Sequence, residues 1–206
     1  MIPSKWDKVT TRQYMKFAAA EESEGDSPME RVDALINKVC ALSGITEEEA
    51  CLLPLKTIED GISKLKSKPI PSKIYETFNL NGVWFEFILN PKELSAERLA
   101  GVMEAAKLGG SQSIQQALFY LARPFKLSLL RRKYYELDAS DVPDMIKDFG
   151  EIPITVSHPI AVFFLKLLKS SNDYSVAYSE KLMKKAKMMA EQAETDLQEL
   201  TDGSRQ

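Results

Sequence analysis

An Asn81-Gly82 step lies between two apolar runs, and it constrains the chain more than any other local feature. Asn-Gly accepts the positive φ angles of a two-residue hairpin turn, whose twist matches that of paired strands. A two-residue turn there pairs Leu80 with Val83, Phe78 with Phe85 and Glu76 with Phe87. Alternation along the strands then places Ile74, Phe78, Leu80, Val83, Phe85, Phe87 and Leu89 on one face, with Glu76 its single polar member. The other face carries Tyr75, Thr77, Asn79, Trp84, Glu86 and Ile88. One face is expected to be buried and the other half-wet. A lone hairpin is marginal in water, so it must pack on this protein's helices or on another chain.

Helical signals flank the hairpin on both sides. Thr10 or Thr11 can cap a short helix through Ala20. The acidic run Glu21 to Pro28 reads as a flexible loop. Ser27, Pro28 and Glu30 form a capping box with proline at the first helical position. Val32, Leu35, Ile36, Val39 and Leu42 follow at helical spacing up to Gly44. Thr46 with Glu49 marks another start, and Pro54 opens a helix whose inner face is Ile58, Ile62 and Leu65.

Beyond the hairpin, Ser95 caps a helix with Leu99, Val102, Met103 and Ala106 inward, stopped by Gly109-Gly110. Ser111 or Ser113 starts the next, through Ala122, and Pro124 breaks it. Residues 125–137 fit neither period. A short helix is expected around Val142 to Phe149, and Ser157-His158-Pro159 should begin a buried helix over Ile160 to Lys169. From Ser171 or Asp173 a long charged C-terminal helix carries a narrow apolar stripe through Tyr178, Leu182, Met189 and Leu197. The expected fold is mainly α: a helical bundle with one embedded β-hairpin and a long C-terminal helix. Its regions are helical 1–71, hairpin 72–92 and helical 93–206, together one compact domain.

Catalytic and metal chemistry find little purchase. His158 is the only histidine, and it is expected to cap a helix start or lie at the surface. A Ser-His-Asp or Cys-His site would need it, and no nucleophile elbow surrounds it. No CxxC, HxxxH or His-carboxylate spacing exists. Asp138, Asp141 and Asp144, and the run Glu47-Glu48-Glu49, sit where helix starts favour acid. Gly109-Gly110-Ser111 lacks the rest of a phosphate loop and reads as a helix-to-helix turn. No catalytic residue, metal site or cofactor is therefore expected, and the chain is read as non-enzymatic.

Cys40 and Cys51 lie in apolar, helix-like contexts and are expected to be reduced and buried. The start of the chain has no apolar h-region, so no secretory leader is expected. Ile160 to Leu168 is too short to span a bilayer, so no membrane association is expected.

A net charge of −3 argues against general nucleic-acid binding. The basic segment 123–135 is nonetheless distinctive: Arg123, Lys126, Arg131, Arg132 and Lys133 interleave with Phe125, Tyr134 and Tyr135. It can be a solvated face with apolar stems lying on the surface, a contact for an acidic protein surface, or a grip on phosphate and bases.

The order of motifs resembles that of tail-module proteins from bacteriophages of Bacteroides-type hosts, including crAss-like phages. The likeness rests on Trp6-Asp7-Lys8-Val9-Thr10-Thr11-Arg12-Gln13-Tyr14, on Ala41-Leu42-Ser43-Gly44-Ile45-Thr46-Glu47-Glu48-Glu49 and on Leu53-Pro54-Leu55. It continues through the hairpin after a Pro-rich break and through Phe163-Phe164-Leu165-Lys166-Leu167-Leu168. The acidic stretch Glu21 to Pro28 departs from the pattern. The resemblance implies a tail or neck structural component, or a tail-assembly protein, in the virion or host cytoplasm. Its partners would be other phage structural proteins or further copies of itself as a homo-oligomer. Candidate contacts are Tyr75, Trp84 and Ile88 on the hairpin, and Tyr178, Leu182, Met189 and Leu197 on the C-terminal helix. The alternative is a nucleic-acid-associated accessory factor using Arg123, Arg131 and Arg132.

Overall fold

The computed structural model describes residues 2–108, 110–128 and 131–164. It divides into two units, Met1–Ala161 and Val162–Gln206. The expected C-terminal helix, with Tyr178, Leu182, Met189 and Leu197, lies outside the described residues. In the second unit Phe163 and Phe164 meet edge-on at 5.6 Å. The fold is mainly α, with one four-stranded antiparallel sheet among the described residues.

Three capping boxes set the N-terminal helices. Thr10 with Gln13 opens α1 (Thr11–Glu22), Ser27 with Glu30 opens α2 (Pro28–Ser43), and Thr46 with Glu49 opens α3 (Glu47–Cys51). Each box satisfies backbone N–H groups that the first turn leaves unpaired, and a cap of this kind stabilises by about 1 kcal/mol. Gly44 ends α2 with φ of 69°, a conformation that β-carbon sterics discourage elsewhere. α4 (Leu55–Lys66) follows Pro54 and buries Ile58, Ile62 and Leu65, as their spacing predicts.

These helices enclose one core. Trp6, Phe17, Val39, Leu42, Ile58, Ile62 and Leu65 are buried together, and Ile154 from far along the chain joins them. Trp6 meets Tyr14 and Phe17 edge-on at 5.8 and 6.2 Å, and its indole N–H donates to Lys68 O at 2.6 Å. The acidic stretch is in part helix, since α1 runs on through Glu22, and two of its acids are paired: Glu21, in α1, with Lys66, and Glu24, beyond it, with the nearly buried Lys38. The Lys38 hydrogen bond and charge hold the Glu24 carboxyl below its ordinary range.

The two ends of the first unit close on each other. Ile154 N–H donates to Val9 O at 2.9 Å, and Thr11 N–H donates to Ile152 O at 2.8 Å. The fully buried Thr11 hydroxyl also donates to Ile152 O, and Ser157 Oγ lies 2.6 Å from it. The next helix, α8, covers described residues 154–164 and therefore starts at residue 154 rather than 160. Ser157 and His158 lie inside it, so His158 caps nothing. It is half-buried, 6.1 Å edge-on from Tyr14, and burial pushes its pKa down.

The hairpin forms in the predicted register. β1 (Thr77–Leu80) pairs with β2 (Val83–Phe87) through Phe78–Phe85 and Leu80–Val83, and Phe87 N–H donates to Glu76 O at 2.8 Å. Asn81 and Gly82 take φ of 51° and 83°, as the turn requires. Segment 125–137, which fits neither period, contributes to a second hairpin. β3 (Ala122–Ser128) pairs with β2, and β4 (Arg131–Tyr134) pairs with β3. Pro124 does break the preceding helix, but the chain leaves as a strand.

α5 (Ala96–Leu108) and α6 (Gly110–Leu121) form a helical hairpin beside the sheet. The α5 face is rotated from expectation. Gly101, Val102 and Ala105 are buried, while Leu99 and Met103 are each 45% exposed. Gly101 explains the rotation, because the Tyr120 ring stands 2.5 Å from where a Cβ would be. Arg98 donates to Ala122 O at 2.5 Å, supporting the point where helix becomes strand.

Phe149, fully buried after α7 (Val142–Asp148), joins these parts. It stands edge-on to Phe78 at 5.7 Å, to Phe85 at 5.2 Å and to Phe119 at 5.6 Å. Phe149→Ala is expected to cost about 3–5 kcal/mol, the usual range for emptying a phenyl site. Urea unfolding of the variant measures this, and a loss under about 1 kcal/mol would remove Phe149 from its central place.

Candidate functional site

The sheet has one face against the aromatic core and one turned outward. Alternation and register place Thr77, Asn79, Trp84, Glu86, Arg123, Phe125, Leu127, Arg132 and Tyr134 on the outer face. The basic segment is thereby divided. Arg123 and Arg132 stand on this face, whereas Lys126, Arg131 and Lys133 stand on the opposite side of the second hairpin, all three exposed.

Glu86 organises the outer face. Its carboxylate accepts from Arg123 Nε at 3.0 Å, from the Tyr134 hydroxyl at 2.5 Å and from Arg132. A second Arg123 nitrogen lies 2.9 Å from it, and Glu93 stands 3.8 Å from that same nitrogen. The Arg123 guanidinium also sits 4.0 Å over the Tyr134 ring, and Arg132 lies 5.4 Å from the Phe125 ring centre. Each arginine thus has a carboxylate at one edge and an aromatic ring beneath it. Burial pushes the Glu86 carboxyl up, but Tyr134, Arg123 and Arg132 outweigh it and hold the pKa below the ordinary range. The hydrogen bond to Glu86 in turn raises the Tyr134 phenol.

Two positive and two negative side chains meet here, so the cluster carries no net charge. That removes the electrostatic footprint a phosphate backbone requires, at least for Arg123 and Arg132. What remains is aromatic and apolar. Trp84 is 44% exposed, Leu127 67% and Tyr134 41%. Trp84 rests 6.3 Å from the buried Phe125. Such amphipathic rings on a rigid sheet are the side chains that anchor protein interfaces.

Among the residues singled out from the sequence, Trp84, Arg123 and Arg132 come together on this face. Arg131 is exposed but on the opposite side. Tyr75 is 41% exposed and precedes β1, with Lys73 5.2 Å over its ring. Ile88 is not a surface contact. It is 3% exposed, and its N–H donates to Leu121 O at 2.7 Å, extending the strand ladder to the end of α6. Cys51 is exposed rather than buried, because the five-residue α3 buries only Ala50, while Cys40 is half-buried. The reading of single residues missed the role of Glu86. Its signal was present: Glu86 is the one acid on the hairpin's second face, beside Trp84 and Ile88, in a chain whose basic segment had no assigned partner.

Replacing Glu86 by Gln leaves two arginines without their shared counter-ion. Their partial exposure limits the expected cost to about 1–3 kcal/mol near neutral pH. Because the folded pKa is depressed, the carboxylate's contribution is complete above about pH 5 and fades as pH falls through the folded value. The stability difference between wild type and Glu86→Gln should therefore shrink on acidification. A difference independent of pH between neutrality and acid would contradict the ion-pair account.

No protein-family model, no curated protein and no solved structure matches this chain.

Proposed function

We propose that this protein is a non-enzymatic interaction protein that assembles through the outer face of its sheet. The observation that carries the reading is the exposure of Trp84, Leu127 and Tyr134 around a charge-neutral, internally bonded Arg–Glu cluster. A ring or leucine stem on a fixed sheet loses little conformational freedom on contact, so its apolar area is available for binding. The cluster holds Tyr134 and both arginines in place before any partner arrives. The setting implied by the sequence resemblance is a phage tail or neck, as a ring or connector component or a tail-assembly protein, with further copies of the chain as the first partner.

The neutral cluster also ranks this reading above the nucleic-acid alternative. Arginines that already share a carboxylate must give it up to bind phosphate, which costs much of what the new contact gains. Apolar contact is insensitive to salt, whereas phosphate contact weakens steeply with it.

Light scattering on the purified chain at low and half-molar salt tests the proposal. The expected mass is a defined multiple of 23.2 kDa at both salts. Trp84→Ala together with Leu127→Ser should weaken that assembly at least about tenfold while leaving the fold intact. A 23.2 kDa species at both salts would overturn self-assembly. A complex with nucleic acid that disperses in salt would favour the alternative.

A further inference from the structure

The sheet ends at β4, and no described residue pairs with its far edge. All four residues of β4, Arg131–Tyr134, are exposed. Tyr135 N–H donates to Pro124 O across the β3–β4 ladder at 3.3 Å. Hydrogen-bonded and non-bonded pairs alternate along an antiparallel ladder. Counting back from Tyr135, the N–H and C=O groups of Arg132 and Tyr134 point to the free side. A free edge with outward donors and acceptors is a template for another strand.

The charge on this edge selects what can pair with it. A second copy of β4 would place Arg131, Arg132 and Lys133 against the same residues, and like charges directly opposite are destabilising. The chain's own acidic loop is a poor occupant, since Glu21 is held by Lys66 and Glu24 by Lys38. Arg131 and Lys133 lie on one face, with Lys126 on β3 beside Lys133, and none of the three has a carboxylate within ion-pair distance among the described residues. Arg132 on the other face is already tied to Glu86.

From this we infer that the β4 edge binds an extended acidic segment of another protein by strand addition. Backbone bonds form to Arg132 and Tyr134, and alternate acidic side chains face Arg131 and Lys133. This rests on the reading of the chain as an interaction protein, but it uses the edge of the sheet rather than its outer face.

The test is fluorescence anisotropy on the full chain with a short labelled peptide of alternating Glu and Val. Saturable binding at micromolar peptide is expected. A Glu-Pro repeat of equal charge, which cannot join a ladder, should bind at least about tenfold more weakly. Arg131→Glu with Lys133→Glu should weaken the Glu-Val peptide by a similar factor, with an unchanged circular dichroism spectrum. Trp84→Ala with Leu127→Ser should leave peptide binding unaltered, which separates this edge from assembly through the face. Equal binding of both peptides would reduce the interaction to charge attraction and overturn strand addition. Tighter binding of a single-stranded DNA oligonucleotide, or no peptide binding at all, would overturn the acidic-strand partner.

Discussion

The edge-on packing of Phe149 against three other phenyl rings is the contact on which the sheet's position depends. Phe78 and Phe85 come from the first hairpin and Phe119 from α6, so one side chain touches two separate stretches of sequence. Edge-to-face contacts of this kind add about 0.5–1.5 kcal/mol each beyond burial, and they favour defined ring angles. The first hairpin, marginal alone, thereby gains a fixed seat. With its inner face so occupied, its other face must point outward, and that is the face on which Trp84 and Glu86 sit.

The second constraint is the closure of residues 152–154 onto Val9 and Thr11. Both hydroxyls at that junction, Thr11 and Ser157, are fully buried and hydrogen-bonded. Buried polar groups are costly when unpaired, so a junction that satisfies all of them is selective for one alignment. It carries Ile154 into the N-terminal core and sets the start of α8, which moves His158 from a helix cap to a half-buried site beside Tyr14. Arg12 adds bonds to Lys147 O at 2.7 Å and to Glu151 at 2.9 Å, with Gly150 leaving room for its guanidinium.

The outer face shows how burial alters the meaning of charge. Taken along the sequence, segment 123–135 is a basic stretch with aromatics. In three dimensions its arginines divide between two faces, and the pair on the outer face shares the Glu86 carboxylate, some forty residues earlier, with Glu93 completing the charge balance. An interface built there is apolar at its exposed rings and internally paired beneath them. The edge keeps the unpaired cations. These are two surfaces of different chemistry on one small sheet.

Local signals in the sequence were enough for the parts whose stability is local. The three capping boxes, Gly44 after α2 and the Asn81-Gly82 register all depend on residues within a few positions of each other. Hairpin twist and unpaired helix ends act at that same range. The buried face of α4 and of the first hairpin followed from period alone. What only the tertiary structure decided depends on distant neighbours. β3 and β4 form because β2 offers an edge, although their own residues carry no clean alternation. Leu99 and Met103 face outward because Gly101 admits Tyr120 on the other side. Ile88 is buried because its strand runs on to the end of α6. Glu86 becomes the centre of the outer face because folding brings Arg123, Arg132 and Tyr134 to it. Periodicity records which way a side chain points, but a carboxylate's partners are set by which strands lie next to each other.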